Sequence, residues 1–254
     1  MSTLLDVQGL TKQFVKDDTG IVALRDFDLQ VDQGSFVTVL GRSGCGKSTA
    51  LNLLSGLIRP TSGTVAYRGD PVTGPRTEIS YLTQSDTLMP WRDVRRNVEM
   101  PMEIGGVGVQ ERRGRAVELI ERVGLTGFER HYPRELSGGM RRRVSLARML
   151  AGDPETLLMD EPFGALDAQL RMDLQAELLR LWHDGGQTVV FVTHDIEEAL
   201  LLGDRIVVLG LRGRCILDRE LDLPRPRDPD DLRVDPDFVA LHREMTEALR
   251  EGAR

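Results

Sequence analysis

Three short stretches carry residue types suited to phosphate chemistry. In "GRSGCGKST" (41–49), Gly41, Gly46, Lys47 and Ser48 satisfy the spacing G-x-x-x-x-G-K-[ST]. Glycines in such a loop let backbone N–H groups curl around phosphate oxygens, and the start of the following helix adds a positive dipole end. Lys47 is expected to reach the β and γ phosphates, and Ser48 to offer its hydroxyl to Mg2+. Cys45 lies inside this loop and is expected to supply backbone contacts, with a thiol open to alkylation and shielded by Mg-ATP. The second stretch, "TLLMDE" (156–161), is an apolar run ending in two acids. Asp160 falls where a strand end aims a carboxylate at a Mg2+ shell, and Glu161 where a base acts on water. The third, "VVFVTHD", ends an apolar run at His194, and strand ends of an α/β sheet are where ligands bind. Gln84 ends "EISYLTQ" in the same way. Taken singly, a Gly-rich turn, an acidic strand exit and a surface histidine would explain these stretches; their co-occurrence favours a nucleotide site.

A fourth stretch, "ELSGGMRRRVSLARML" (135–150), opens a basic amphipathic run with one Ser and two Gly. It is a second helix start built to grip an anion, in a chain that already has one. The side chains of Arg141, Arg142 and Arg143 read mostly as a solvated basic face.

The elements that must position these residues follow from periodicity. "RDFDLQV" places Phe27, Leu29 and Val31 on one face of a strand, and "SFVTVL" before the Gly-rich loop is apolar enough to be buried on both faces. "TVAYRG" and "EISYLTQ" predict further strands. Between about 86 and 150 the pattern turns helical. In "RAVELIERVG", Ala116, Leu119, Ile120 and Val123 share a face, and Gly124 is a stop. Strand and helix then alternate through "TLLMDE", a leucine stripe at 166, 170, 174, 178 and 181, "TVVFVTHD" and "DRIVVL". That alternation predicts a parallel sheet wrapped by helices and interrupted by a helical insertion. The expected divisions are 1–85 and 151–220 for the core, 86–150 for the insertion and 221–254 for a Pro- and charge-rich extension closed by a helix over 236–250.

The chain has 254 residues, 40% of them apolar, and a formal net charge of −7, which disfavours a nucleic-acid partner. No apolar run approaches a membrane span, the start lacks the pattern of a signal peptide, and two cysteines make no disulfide framework. A cytoplasmic globular protein is expected.

Together and in order, these residues resemble the nucleotide-binding subunit of an ABC transporter. "GRSGCGKST" is similar to the Walker A loop, "LLMDE" to Walker B with Glu161 as its catalytic residue, Gln84 to the Q-loop glutamine, "GALD" with Asp167 to the D-loop, and His194 to the switch histidine. "LSGGM" is similar to the signature LSGGQ, with Met140 as the departure. The resemblance implies a P-loop NTPase (RecA-like) core with an N-terminal antiparallel β portion and an inserted α-helical subdomain. It implies ATP and Mg2+ as cofactors. Phe14, Val22, Arg42, Ser43, Gly44, Cys45, Thr49 and Gln84 join the phosphate-loop residues in binding ATP, Phe14 by stacking on adenine. Mg2+ falls to Ser48, Gln84 and Asp160. Lys47, Glu161 and His194 are the catalytic set. Ser137, Gly138 and Gly139 close over ATP held by a second copy in a head-to-tail dimer. The second gripping helix start thus implies a second subunit. Met140, "LMPWRDVRRNV" and "LPRPR" are similar to the branch that imports nitrate, sulfonates and taurine. Met89 and Trp91 then face a membrane permease, which works with a solute-binding protein. A soluble non-transport ABC ATPase and a nucleotide-sensing regulatory module are the alternatives. A single cassette with an insertion of about 65 residues argues against the first, and intact Glu161 and His194 against the second.

Overall fold

The structure, a computed structural model, describes residues 2–16, 19–164, 166–227, 232 and 235–253. Ala165 of "GALD" and most of 228–234 in the charged extension lie outside the described residues. Two compact units are formed. One comprises Met1–Arg76, Leu158–Glu161 and Gln187–Arg254, the other Thr77–Leu157 and Pro162–Gly186.

The first unit holds an antiparallel sheet of order β2-β1-β4-β5, made of β1 (Thr3–Lys16), β2 (Thr19–Asp32), β4 (Ser62–Tyr67) and β5 (Asp70–Pro71). The period-two residues Phe27, Leu29 and Val31 of β2 are buried. A second sheet runs in the order β10-β9-β3-β8-β7. Its strands are β3 (Phe36–Gly41), β7 (Thr156–Asp160, in this unit from Leu158 onward), β8 (Thr188–Thr193), β9 (Arg205–Leu209) and β10 (Cys215–Glu220). Every residue of β3, β7 and β8 is buried, as the uninterrupted apolar runs require of strands covered on both faces. β3 pairs in parallel with β8 and β9, setting Leu40 opposite Thr193 and Gly41 opposite Leu209. The Glu161 N–H donates to Val192 O at 2.9 Å, so β7 ends at the same edge.

Helices cover this sheet. α1 (Lys47–Leu54) follows the Gly-rich loop and buries Leu51, Leu53 and Leu54. α6 (Ile196–Leu202) starts just after His194, capped by Asp195, whose carboxylate accepts from the Glu198 N–H at 3.2 Å. The fully buried Thr38 hydroxyl of β3 donates toward Ala199 O (3.3 Å) and Arg205 O (3.2 Å), tying α6 to the sheet. The closing helix α7 (Pro236–Glu251) is capped by Asp235, buries Phe238, Met245 and Ala248, and packs on α6, β9 and β10.

The second unit contains β6 (Ile79–Leu82), beside which the N–H groups of Glu155 and Thr156 donate to Glu78 O at 3.0 Å each. Its helices α2 (Val94–Ile104), α3 (Val109–Arg122) and α4 (Gly138–Ala151) pack on one another. Ala116 and Ile120 of α3 and the following Val123 are buried, as the helical period predicts, and Gly124 turns the chain with φ 69°. α5 (Ala168–Gly185) buries Leu174, Leu178 and Leu181 and ends on Gly186 in the left-handed region. Among the described residues no helix is long and apolar enough to cross a membrane.

Candidate functional site

In the first unit the loop 41–46 joins β3 to α1. Gly46 has φ 115°, and a Cβ there would lie 2.6 Å from Ala23 O of β2. Conformation and space both demand glycine. The next residue, Lys47, is buried. Its ammonium donates to Gly41 O (2.7 Å) and Arg42 O (3.1 Å) and lies 3.2 Å from Glu161 Oε1. The other oxygen of Glu161 is 2.9 Å from His194 Nδ1. Lys47 from the start of α1 and Glu161 and His194 from the ends of β7 and β8 therefore form one continuous string. Glu161 has φ 43°, an uncommon conformation for a residue with a side chain, of the kind that clusters at reactive sites. Asp160 is buried at the end of β7, and Ser48 is exposed in the first turn of α1. Arg42, Ser43 and Gly44 are exposed and Thr49 is half-buried.

Cys45 departs from expectation. Its side chain turns inward and is 2% exposed; a Cβ on Gly41 would lie 2.7 Å from its Sγ. Burial pushes the thiol's pKa up, against the opposing effect of Lys47. The residue supplies backbone to the loop and its sulfur fills the space behind it, so it is not an accessible thiol.

Phe14 is 42% exposed on β1 opposite Ile21, with the Lys12 ammonium 5.2 Å from its ring centroid. It is not a core residue. Val22 lies opposite Gln13 and is half-buried. A cavity of about 440 Å³ opens against Arg42, Ser43 and His194, and α7 lines it with Thr246, Leu249 and Arg250.

In the second unit Ser137 caps α4, its hydroxyl accepting from the Met140 N–H at 3.2 Å. The cap uses the backbone of Met140, so the change from the usual glutamine leaves it intact. Gly138 is exposed, whereas Gly139 is buried. A Cβ on Gly139 would lie 2.1 Å from Leu170 Cδ2, so this glycine lets α4 approach α5. Asp167 caps α5, accepting from the Leu170 N–H at 3.0 Å. Gln84 is exposed after β6.

The arginines of α4 are not a solvated face. Arg141 Nε donates to Asp86 Oδ2 at 2.7 Å and its Nη1 to Leu136 O at 2.8 Å. Arg142 is buried and donates to Pro162 O (2.6 Å) and Thr83 O (2.7 Å). Arg143 donates to Val123 O at 3.1 Å, and Arg148 to Thr87 O and Oγ1 at 2.8 Å each. Carbonyls of irregular segments lack secondary-structure partners, and Arg142 and Arg148 supply donors to those of Thr83 and Thr87. Trp91 is 69% exposed, while Met89 is half-buried.

The ABC transporter family pattern matches residues 24–164. The chain belongs to the ABC transporter family. It is 45% identical to an uncharacterised ABC transporter ATP-binding protein of Methanocaldococcus jannaschii, over 99% of this chain and 93% of that one. It is 46% identical to the taurine import ATP-binding protein TauB of Yersinia pseudotuberculosis, over 93% of each chain. It is 41% identical to the nitrate import ATP-binding protein NrtC of Synechococcus elongatus, over 100% of this chain and 39% of that one. A dimeric ATP-binding cassette in a post-hydrolysis state, bound to ADP and Pi, superposes with a TM-score of 0.79 at 33% identity, covering 87% of this chain and 100% of the other. The chain is an ABC ATPase cassette with the P-loop NTPase fold, and it binds and hydrolyses ATP.

Several residues that organise this cassette gave little sign in the sequence. Asn97 is fully buried, and its amide accepts from the Met89 N–H (2.8 Å) and donates to Met89 O, Arg92 O and Asp93 O at 3.2, 2.9 and 3.0 Å. It fixes the loop that presents Trp91. A lone Asn in a helical stretch signals only when it falls on the apolar face, as here beside Val98. Arg142 likewise sits on the buried side of the α4 period, a position where an arginine must find carbonyls, and Arg148 is half-buried. The helix α7 is expected from the sequence, but its place at the cavity has no local signal.

The burial of Cys45 makes a definite prediction. Iodoacetamide should label Cys45 in the native cassette slowly, and equally slowly with Mg-ATP present, but fully after denaturation. Peptide mass spectrometry reads the difference, and rapid native labelling that ATP suppresses would contradict the inward sulfur.

Proposed function

We propose that this chain is the ATP-hydrolysing subunit of an importer for a small anion, of the nitrate, sulfonate and taurine class, working through a separate membrane permease and a solute-binding protein. Support comes from the TauB and NrtC likeness over almost the whole chain. The cassette would then sit at the inner face of the cell membrane, held there by the permease. Trp91 supports the permease contact, together with Met89: an exposed tryptophan on a braced loop suits an interface anchor.

The observation that carries the catalytic reading is the string Lys47–Glu161–His194. Lys47 binds the β and γ phosphates, and an incoming γ-phosphate competes with Glu161 for its ammonium. Glu161, released on that side, orients or deprotonates the attacking water. His194 stays against the other carboxylate oxygen and holds the γ-phosphate. The backbone N–H groups of 41–46 stabilise charge on the phosphates. Phe14 offers an exposed face on which adenine stacks, next to Val22. The donor set of the first unit suits Mg2+: a serine hydroxyl at the start of α1 and the buried Asp160 carboxylate are hard oxygen ligands, few enough to leave room for phosphates and water. Ser48 and Asp160 would hold the ion, which supplies Lewis-acid polarisation of the phosphate oxygens.

A second copy of the chain completes each site. Ser137 and the exposed backbone of Gly138 offer donors at the start of α4, where the helix dipole favours an anion. Two copies arranged head to tail close over two ATP molecules; the dimeric state of a cassette of similar structure supports the pairing of two copies. Asp167 of the D-loop would face the partner copy across the same interface.

Glu161→Gln should retain ATP binding and ATP-dependent dimerisation while hydrolysis falls by about 10²- to 10⁴-fold, the scale of a lost general base. Phosphate release near the native rate would remove Glu161 from that role. Ser137→Arg should abolish hydrolysis and leave ATP binding by a single chain unchanged in calorimetry; loss of that binding would contradict action in trans. Reconstituted in vesicles with its permease and binding protein, the cassette should hydrolyse ATP faster when nitrate, taurine or an alkanesulfonate is supplied. Stimulation only by sugars or amino-acid cations would overturn the solute class.

A further inference from the structure

The motif "LPRPR" (223–227) has no part in the site described so far. The structure gives it one, at the far end of the helix that follows His194. α6 ends at Leu202, and Gly203 leaves it in an extended conformation (φ −81°, ψ 152°) rather than in a left-handed cap. The last carbonyls of such a helix have few backbone partners. Two arginines supply donors instead. Arg227, 7% exposed, donates through Nη1 to Leu200 O (2.9 Å), Leu201 O (3.3 Å) and Gly203 O, and through Nη2 to Leu223 O (3.1 Å). Arg225 donates through Nη2 to Leu202 O (2.6 Å) and to Asp204 Oδ1 (2.7 Å). Each carbonyl from Leu200 to Gly203 is thereby held by a guanidinium. A cation at this end also complements the helix dipole. Burial, with the charge of Arg225, lowers the Arg227 pKa to about 10, so it stays charged at neutral pH.

The other end of α6 meets the same extension. Ile196, its first residue, and His194 line the 440 Å³ cavity together with Thr246, Leu249 and Arg250 of α7. Only Asp195 separates His194 from the helix, and that residue is itself the helix cap. The position of α6 thus bears directly on the one-residue junction through which His194 leaves β8.

We propose that Arg227 and Arg225 are positioning residues for His194: by clamping the carbonyl end of α6 they hold the imidazole on Glu161 during ATP hydrolysis. This rests on the reading of Glu161 and His194 as the hydrolytic pair. An arginine that only stabilised the fold would act equally whatever residue stood at 194, so a double-mutant cycle separates the two roles.

The experiment compares wild type, Arg227→Met, His194→Ala and the double variant in full-length protein, with steady-state phosphate release, ATP affinity and thermal unfolding measured on each. Arg227→Met should lower kcat by about 10- to 100-fold, the scale of a displaced catalytic group, with KM for ATP unchanged. In the His194→Ala background it should cause no further loss. Arg227→Lys should restore little, because an ammonium lacks the fork that spans several carbonyls. A native rate for Arg227→Met, or the same fold-loss in both backgrounds, overturns the proposal while leaving the site reading intact. A native rate for His194→Ala instead overturns the site reading and, with it, the proposal. If Arg227→Met fails to fold, Arg225→Gln runs the same cycle. It removes the bond to Leu202 O from a side chain that is only half-buried.

Discussion

Strand β3 pairs in parallel with β8, and the register sets Leu40 opposite Thr193. From that alignment the loop bearing Lys47 and the residue His194 leave the sheet at one edge, and the bond from the Glu161 N–H to Val192 O brings β7 to the same edge. Three reactive side chains far apart in sequence meet because three buried strands stop together. A slip of one residue would turn each strand's side chains to the opposite face, and with both faces packed there is no room for such a slip. The antiparallel sheet reaches this loop where Ala23 O crowds Gly46.

The charges at that edge balance one another. A buried ammonium needs partners for its protons, and Lys47 has two loop carbonyls and one carboxylate. On the proposed reading, a triphosphate would offer the same ammonium a more highly charged partner, and the arrangement that satisfies the lysine would also make it responsive to nucleotide. Glu161 would be the hinge of that exchange, since its second oxygen lies on His194 and not on the lysine.

The buried strands β3, β7 and β8 could be read directly, because a short, uninterrupted apolar run that stops at reactive residues fits a strand covered on both faces. The Gly-rich loop was legible for a related reason: its glycines answer to backbone conformation, which spacing records. What lay hidden was what polar side chains touch. The α4 arginines look alike in a helical pattern, yet Arg142 reaches Thr83 O and Arg148 reaches Thr87, and those carbonyls belong to a distant irregular segment. The direction of Cys45 inside its loop was equally unreadable, since a turn of a few residues has no period. β10 was missed because "CILDRE" has no buried face to betray it. α7 was found by its helical pattern, but its place beside His194 depends on contacts that no local stretch encodes.

Asn97 has a consequence for how the Trp91 loop would be used. Its hydrogen bonds to the loop backbone are internal to the unit and come from a fully buried side chain. The backbone on either side of Trp91 is thus held in place, and docking there would freeze few additional backbone torsions. A partner docking at this loop would need no folding event there, so the lifetime of the contact would follow the area the indole covers rather than a disorder-to-order transition.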